Sequence, residues 1–194
     1  MWLNEFLRFF FLLTPFFVLS MFLAMTNDWR PAARRVLAVR VIAAVGVLCA
    51  GLLLFGEYVF AMFGITIDAF RIGAGALLFL SGLSLSRGQS TQVSGDKHDI
   101  AVVPLAIPIT VGPATTGTLL VMGGEITQIS QKLHMGSALL AAITALGVLL
   151  YAAGAVERIL GRTGLTILSR ITGLILASMA AQMIFTGIRS LLLL

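Results

Sequence analysis

Residues 102–121, VVPLAIPITVGPATTGTLLV, carry no charge over twenty positions. A run of that length matches the roughly 20 apolar residues a helix needs to cross the hydrocarbon of a bilayer. Inside lipid a chain is confined to helices and closed barrels, because each main-chain N–H and C=O must find a partner without water. Yet the run holds Pro104, Pro108 and Pro113, two glycines at 112 and 117, and four threonines at 110, 115, 116 and 118. Proline removes a donor and collides with the carbonyl four residues back. This span is therefore built to be interrupted.

Five further apolar runs of similar length lie at roughly 5–25, 37–56, 66–86, 136–155 and 170–191, making six spans. The fold class expected is all-α: a polytopic transmembrane helical bundle, with 1–194 as a single transmembrane domain. Composition agrees, with 59% hydrophobic and 11% charged residues, against about 45–50% and about 25% in soluble domains. The net charge of +5 is spread between the apolar runs, so it marks membrane orientation and headgroup contact, with no nucleic acid as partner. The N-terminus, MWLNEFLRFFFLLTPFF, lacks a basic start and a small-residue cleavage site and reads as a retained first span. Cys49 stands alone in an apolar run and reads as a buried, inert thiol.

Basic residues in short loops set orientation. Arg30, Arg34, Arg35 and Arg40 fall in or beside the first connection, Arg87 and Lys97 in the third, and Arg158, Arg162 and Arg170 in or beside the fifth. The second connection, GEYVFAMFG, has none, and the fourth has only Lys132. Connections one, three and five are thus expected in the cytoplasm, and both termini outside.

The chain also echoes itself. Thr14-Pro15 and Gly112-Pro113 are 98 positions apart, Arg71-Ile72 and Arg170-Ile171 are 99 apart, and GVL at 46–48 recurs at 147–149. Such echoes are the mark of duplicated transporter halves. The expected division is a first three-span repeat over 1–86, a cytoplasmic connecting loop over 87–101 and a second three-span repeat over 102–194. An odd number of spans per half makes the repeats inverted, so the broken first helices of both halves meet near the midplane.

At such a meeting point the chemistry follows from the breaks. Carbonyls freed by proline need a partner, threonine hydroxyls can supply polar contacts, and a helix restarting after proline turns free amides and its positive dipole end toward the gap. A carboxylate suits that point. The expected substrate-binding residues are Thr14, Pro15, Thr110, Gly112, Pro113, Thr115 and Thr116. Elsewhere, Asp68 and Arg71 share a helical face and are expected to pair and snorkel to the outer interface, with Glu125 and Glu157 solvated at span ends. Gly173, Ala177 and Ala181, with Gly73, Gly75, Ser81, Gly82 and Ser84 in span three, read as small-residue packing surfaces, with Gln182 as interhelical glue. The phenylalanines of span one read as lipid-facing bulk or packing.

Other chemistries find no support. His98 and His134 fall in oppositely facing loops, so no metal site is expected, and no cofactor. There is no phosphate-binding glycine loop followed by Lys-Ser/Thr, and no nucleophile–base pair. An enzyme is not expected.

The segment PLAIPITVGPATTGTLLV resembles the MarC family of bacterial and archaeal integral membrane proteins. Members have six spans, a P-x-A-x-P motif followed by G-P-G at the start of the second half, and Asn-Pro in span one. Pro104, Ala106, Pro108, Gly112 and Pro113 match the motif, and RIGAG at 71–75 fits the start of the third span. Two positions depart: Thr14-Pro15 stands for Asn-Pro, and Ala114 for the last glycine of G-P-G. The resemblance implies residence in the bacterial or archaeal plasma (inner) membrane. It also implies kinship with transporters of small neutral amino acids such as glycine and alanine. The function expected is alternating-access transport of a small zwitterionic solute at a midplane site. The alternatives are a non-transporting membrane scaffold and an exporter of other small molecules. The partners expected are the lipid bilayer and that solute, with room for a coupling ion of undetermined identity and for a homo-oligomer.

Overall fold

The computed structural model describes residues 2–88, 105–106, 109–125 and 128–192. Pro104 and Pro108, and most of the 87–101 loop with Lys97 and His98, lie outside the described residues. Every regular element among the described residues is helical: α1 (Trp2–Leu12), α2 (Pro15–Met25), α3 (Pro31–Phe63), α4 (Ile67–Ser86), α5 (Pro113–Gly124), α6 (Ile129–Tyr151) and α7 (Ala153–Leu192). Five stretches, Trp2–Met25, Pro31–Phe55, Ile67–Ser86, Ser130–Tyr151 and Ala153–Leu192, are long and apolar enough to cross a bilayer. The twelve residues of α5 reach only about 18 Å at 1.5 Å per residue, short of the roughly 30 Å hydrocarbon core.

Helix starts and stops follow local chemistry. Pro31 and Pro113 each stand at a first helical position, where the missing N–H costs nothing. Thr66 caps α4 through its hydroxyl, which accepts from the Ala69 N–H at 3.3 Å. The sequence expectation of a connection at GEYVFAMFG is corrected: α3 runs on through Phe63 and stops only at Gly64, whose φ of 62° closes the helix in the left-handed conformation. Nothing before Gly64 breaks a helix, so 33 residues form one rod. The fifth connection is also largely helical. A break at Gly161, with φ 65° and ψ 170°, interrupts α7 in backbone that glycine alone adopts freely. The last helix thus begins well before residue 170, where the sixth span was expected to start.

The packing runs in matched pairs. The pair α4 with α7 forms the largest helix contact; α3 packs on α5 and α6, α5 on α4, α1 on α6, and α2 on α7. The α4–α7 contact is set by glycine. A Cβ added at Gly82 would lie 2.7 Å from the Gly173 carbonyl oxygen, and one at Gly173 would lie 2.6 Å from that of Gly82. Gly75 faces Ala180 and Ile184, and Gly187 faces the Asp68 carbonyl. The small-residue surface of α7 thus includes Ala180, fully buried, where the sequence pointed to Ala181. Gly73 has nothing near enough for a Cβ to touch and takes no part. Without a hydrophobic drive between helices in lipid, close backbone approach is what holds such a pair.

Helix α5 occupies the centre, with most of its residues buried. Gly117 lies against Ala74, Gly123 against the Leu53 backbone, and Gly124 against the Phe60 ring. A side chain at any of these three would push α5 off α3 or α4. The aromatic run of span one is partly structural: Phe9 and Phe22 are fully buried, and Trp2, Phe6 and Phe10 stack at 5.8 Å steps. Phe10 also meets Phe16 edge-on at 6.2 Å, which ties α1 to α2 across the gap between them.

Candidate functional site

The first span is broken at Thr14, which adopts φ 46° and ψ 54°. Pro15 follows and has no N–H, so the helix cannot continue through it. The Thr14 N–H donates to the Phe11 carbonyl at 2.9 Å, and α2 restarts when the Val18 N–H donates to the Thr14 carbonyl at 3.0 Å. The Phe16 and Phe17 amides fall in the first turn of α2 and have no intrahelical acceptor. The Leu12 carbonyl, whose helical donor would have been the Phe16 amide, is released at the same point.

The second break is built differently. Residues 105–106 and 109–110 belong to a wide π-helical turn, in which the Val111 N–H donates to the Ala106 carbonyl at 2.8 Å. Gly112 is extended (φ −88°, ψ −179°) and Pro113 opens α5. The Thr116 N–H donates to the Gly112 carbonyl at 2.9 Å. This leaves the Ala114 and Thr115 amides, at the positive end of α5, without intrahelical acceptors.

The two breaks touch. The Thr115 hydroxyl lies 3.5 Å from the Leu12 carbonyl of the first break and 3.4 Å from the Thr110 carbonyl of its own. Both distances are at the long limit for a hydrogen bond, so the hydroxyl is held loosely between two acceptors. Around it opens a cavity of about 360 Å³, within the roughly 300–1,000 Å³ range of small-molecule sites.

Four of the seven residues expected from sequence line this cavity: Thr14, Gly112, Pro113 and Thr115. The other three do not. Thr110 is buried, and its hydroxyl donates to the Leu105 carbonyl at 2.7 Å. Pro15 is buried beneath the break, and Thr116 sits on α5 away from the lining. Ser81 and Ser84 on α4 line the cavity, although their spacing read as packing, and so does Phe17. Their three-residue separation places the two serines on one face of α4 beside Leu77 and Leu85. That signal is legible only once α4 is known to flank the breaks. Among the described residues no hydrogen bond engages the Thr14, Ser81 or Ser84 hydroxyls.

Two smaller cavities flank the central one. A cavity of about 200 Å³ is lined by Arg8, Arg71, Thr118, Glu125, Gln182 and Thr186 together with Met122, Met179 and Met183. It shares only Leu12 and Leu78 with the central cavity. A third, of about 80 Å³, includes Ser20, Gly88, Ser169 and Arg170, and shares only Phe17 and Leu85 with the central one. The three hollows follow one another along α4 from Arg71 to Leu85, a path of about 21 Å at 1.5 Å per residue.

Arg71 pairs with Asp68 as expected and gains a second partner. It is 12% exposed, donates to Asp68 at 2.8 Å and also forms an ion pair with Glu125 at the end of α5. Glu125 is therefore not simply a solvated span end. Glu157 pairs with Arg162 at 3.3 Å across the Gly161 break. Gln182, read from sequence as glue, faces the second cavity. Among the described residues no group of three or more His, Cys, Asp and Glu could hold a metal.

The sequence profile of MarC family integral membrane proteins matches residues 1–192. A UPF0056 membrane protein of Methanocaldococcus jannaschii is 36% identical over 197 residues, covering 95% of this chain and 94% of the relative. One of Aquifex aeolicus is 28% identical over 201 residues, covering 99% and 94%. The UPF0056 membrane protein YhcE of Escherichia coli is 30% identical over 196 residues, covering 96% and 91%. No solved structure matches. With its helical architecture, its paired breaks and a family match over nearly its whole length, this chain belongs to the MarC family of integral membrane proteins.

Proposed function

We propose that the protein carries a small zwitterionic solute, a neutral amino acid of the size of glycine or alanine, across the plasma membrane by alternating access. The observation that carries this reading is the contact of two interrupted helices at one hydroxyl-lined cavity. The Ala114 and Thr115 amides at the start of α5 would receive the carboxylate. The Leu12 carbonyl would receive the ammonium, with the Thr14, Thr115, Ser81 and Ser84 hydroxyls completing the contacts. None of these groups has an intrahelical partner, so binding would displace only the long contacts of the Thr115 hydroxyl to the Leu12 and Thr110 carbonyls, at 3.5 and 3.4 Å.

The inverted-repeat arrangement is part of the proposal. Span one packs on spans five and six, as span four packs on spans two and three; span two packs on span five and span three on span six. A twofold exchange of the halves 1–86 and 102–194 about an axis in the membrane plane would produce that pattern. With the basic connections inside, both termini and the Arg71–Glu125 end face outward. The halves rocking about α4 and α7 would open the central cavity first to one side and then to the other. A scaffold would have no need of the cavity, and its hydroxyl and main-chain lining suits a small polar solute better than a bulky apolar drug.

The test is uptake of radiolabelled glycine and alanine into proteoliposomes. Saturable uptake is expected, with Thr115→Val reducing it at least tenfold and Thr116→Val leaving it near wild type, since only Thr115 borders the cavity. No uptake of either amino acid by folded protein, or equal uptake by both variants, would overturn the site.

A further inference from the structure

We propose that the Arg71–Glu125 pair is a second, outer solute subsite, at which a zwitterion is accepted by exchange of ion-pair partners before it reaches the central cavity. The inference rests on the transport reading above and names the feature that selects the solute's charge.

Arg71 already has a carboxylate partner on its own helix, three residues back at Asp68. That pair alone supplies the guanidinium with a counter-charge, so Arg71 has a carboxylate partner without Glu125. Glu125 nevertheless reaches Arg71 from the end of α5, in the other half of the chain, and its side chain keeps 43% of its exposure. Both groups stand in the lining of the 200 Å³ cavity, together with Gln182 and Thr186 of α7. The two groups differ in kind. Arg71 offers a planar fork suited to a carboxylate, and Glu125 offers an acceptor suited to an ammonium.

An α-amino acid carries both charges on one carbon. It can insert between the partners, placing its carboxylate on the guanidinium and its ammonium on Glu125, so that each charge lost is replaced by one gained. A solute with a single charge cannot do this. Arg8, also in this lining, already pairs with Glu5 at 3.6 Å, so a lone carboxylate would add a third negative charge beside Asp68 and Glu125, and a lone ammonium would take Glu125 away from Arg71 without replacing it. Beyond the pair, Leu12 and Leu78, each 2% exposed, form the only lining shared with the central cavity. The exchange therefore occurs at the outer side of an apolar partition, with the hydroxyl-lined chamber behind it.

The experiment measures initial rates of radiolabelled glycine uptake by the reconstituted full chain, with unlabelled glycine, glycinamide (a cation) and acetate (an anion) as competitors. For wild type, glycine competes while glycinamide and acetate do not. In Glu125→Gln the KM for glycine is expected to rise at least tenfold with kcat retained. Acetate should also become a competitor, since the cluster has lost one negative charge while Arg71 keeps its fork. Gln182→Leu, which leaves both charges in place, serves as a second variant and is expected to raise KM without admitting acetate. Unchanged KM and competitor pattern in folded Glu125→Gln would overturn the subsite, as would a fall in kcat alone. Either result leaves the central site to stand or fall on Thr115→Val. Absence of glycine and alanine uptake by wild type overturns the transport reading and the subsite together.

Discussion

Thr14 is the residue at which the fold stores backbone strain, and replacing it by asparagine should stabilise the protein. At φ 46° it is the sole non-glycine residue with positive φ among the described residues. The left-handed conformation costs an L-residue roughly 1–2 kcal/mol, and a β-branched side chain is among the least suited to it. Asparagine enters that region most readily of the non-glycine residues, so Thr14→Asn should recover about 1 kcal/mol. For a chain of this size that corresponds to a rise of roughly 2–4 °C in Tm, by the scaling for domains of 150–250 residues. Glycine would relieve the same strain but lose about 0.5–1 kcal/mol of backbone entropy, and should come out near neutral. Thr14→Val keeps the branched Cβ and the strain while deleting the hydroxyl. Its Tm should stay near wild type while glycine uptake weakens. The assay is thermal unfolding of the purified protein in one detergent, followed by uptake after reconstitution. If Thr14→Asn melts no higher than wild type, the strain argument at this break is wrong.

Three further tests address packing, orientation and the partition between cavities. Gly82→Ala and Gly173→Ala should each destabilise by about 1–3 kcal/mol through overpacking, because the new Cβ would meet backbone of the opposing helix. Gly136→Ala, where nothing lies within 4 Å, should be neutral or gain up to about 1 kcal/mol from helix propensity; melting temperatures separate the two groups. Native Cys49 is fully buried, so introduced thiols report on sidedness without interference. Asn4→Cys should react with a membrane-impermeant maleimide from outside intact cells, and Asn27→Cys only after permeabilisation; the reverse result inverts the topology. Leu78→Ala should open a passage between the central and outer cavities at a stability cost of about 2–5 kcal/mol. A solute leak into proteoliposomes by folded variant is the expected sign, and a tight variant argues that Leu78 is not part of the partition.

Much of this architecture is written in local chemistry. Pro15 and Pro113 interrupt their helices wherever the rest of the chain goes, because a missing N–H and a clashing ring act within four residues. The apolar runs demand helices in lipid for the same short-range reason. Gly82 and Gly173 stood out as small residues on long apolar helices, and they are where α4 and α7 meet. Other features depend on neighbours the sequence does not name. Nothing near GEYVFAMFG says whether it is a loop or the last turns of α3; the absence of a breaker before Gly64 decides it. Thr110, Thr115 and Thr116 look alike in sequence. Packing turns only Thr115 toward the opposite break, while Thr110 binds Leu105 in the wide turn before α5.

What the sequence determined by itself is that the chain must span a membrane as helices and that two of those helices must break. Those outcomes follow from covalent geometry and from the cost of unpaired main-chain groups in hydrocarbon. Only the tertiary structure decided that the breaks touch through Thr115 and Leu12, that Ser81 and Ser84 face a cavity, and that Arg71 reaches Glu125 as well as Asp68. Each of these joins residues from different helices, most of them far apart in the chain, and such contacts depend on how whole helices settle against one another through glycine-lined surfaces.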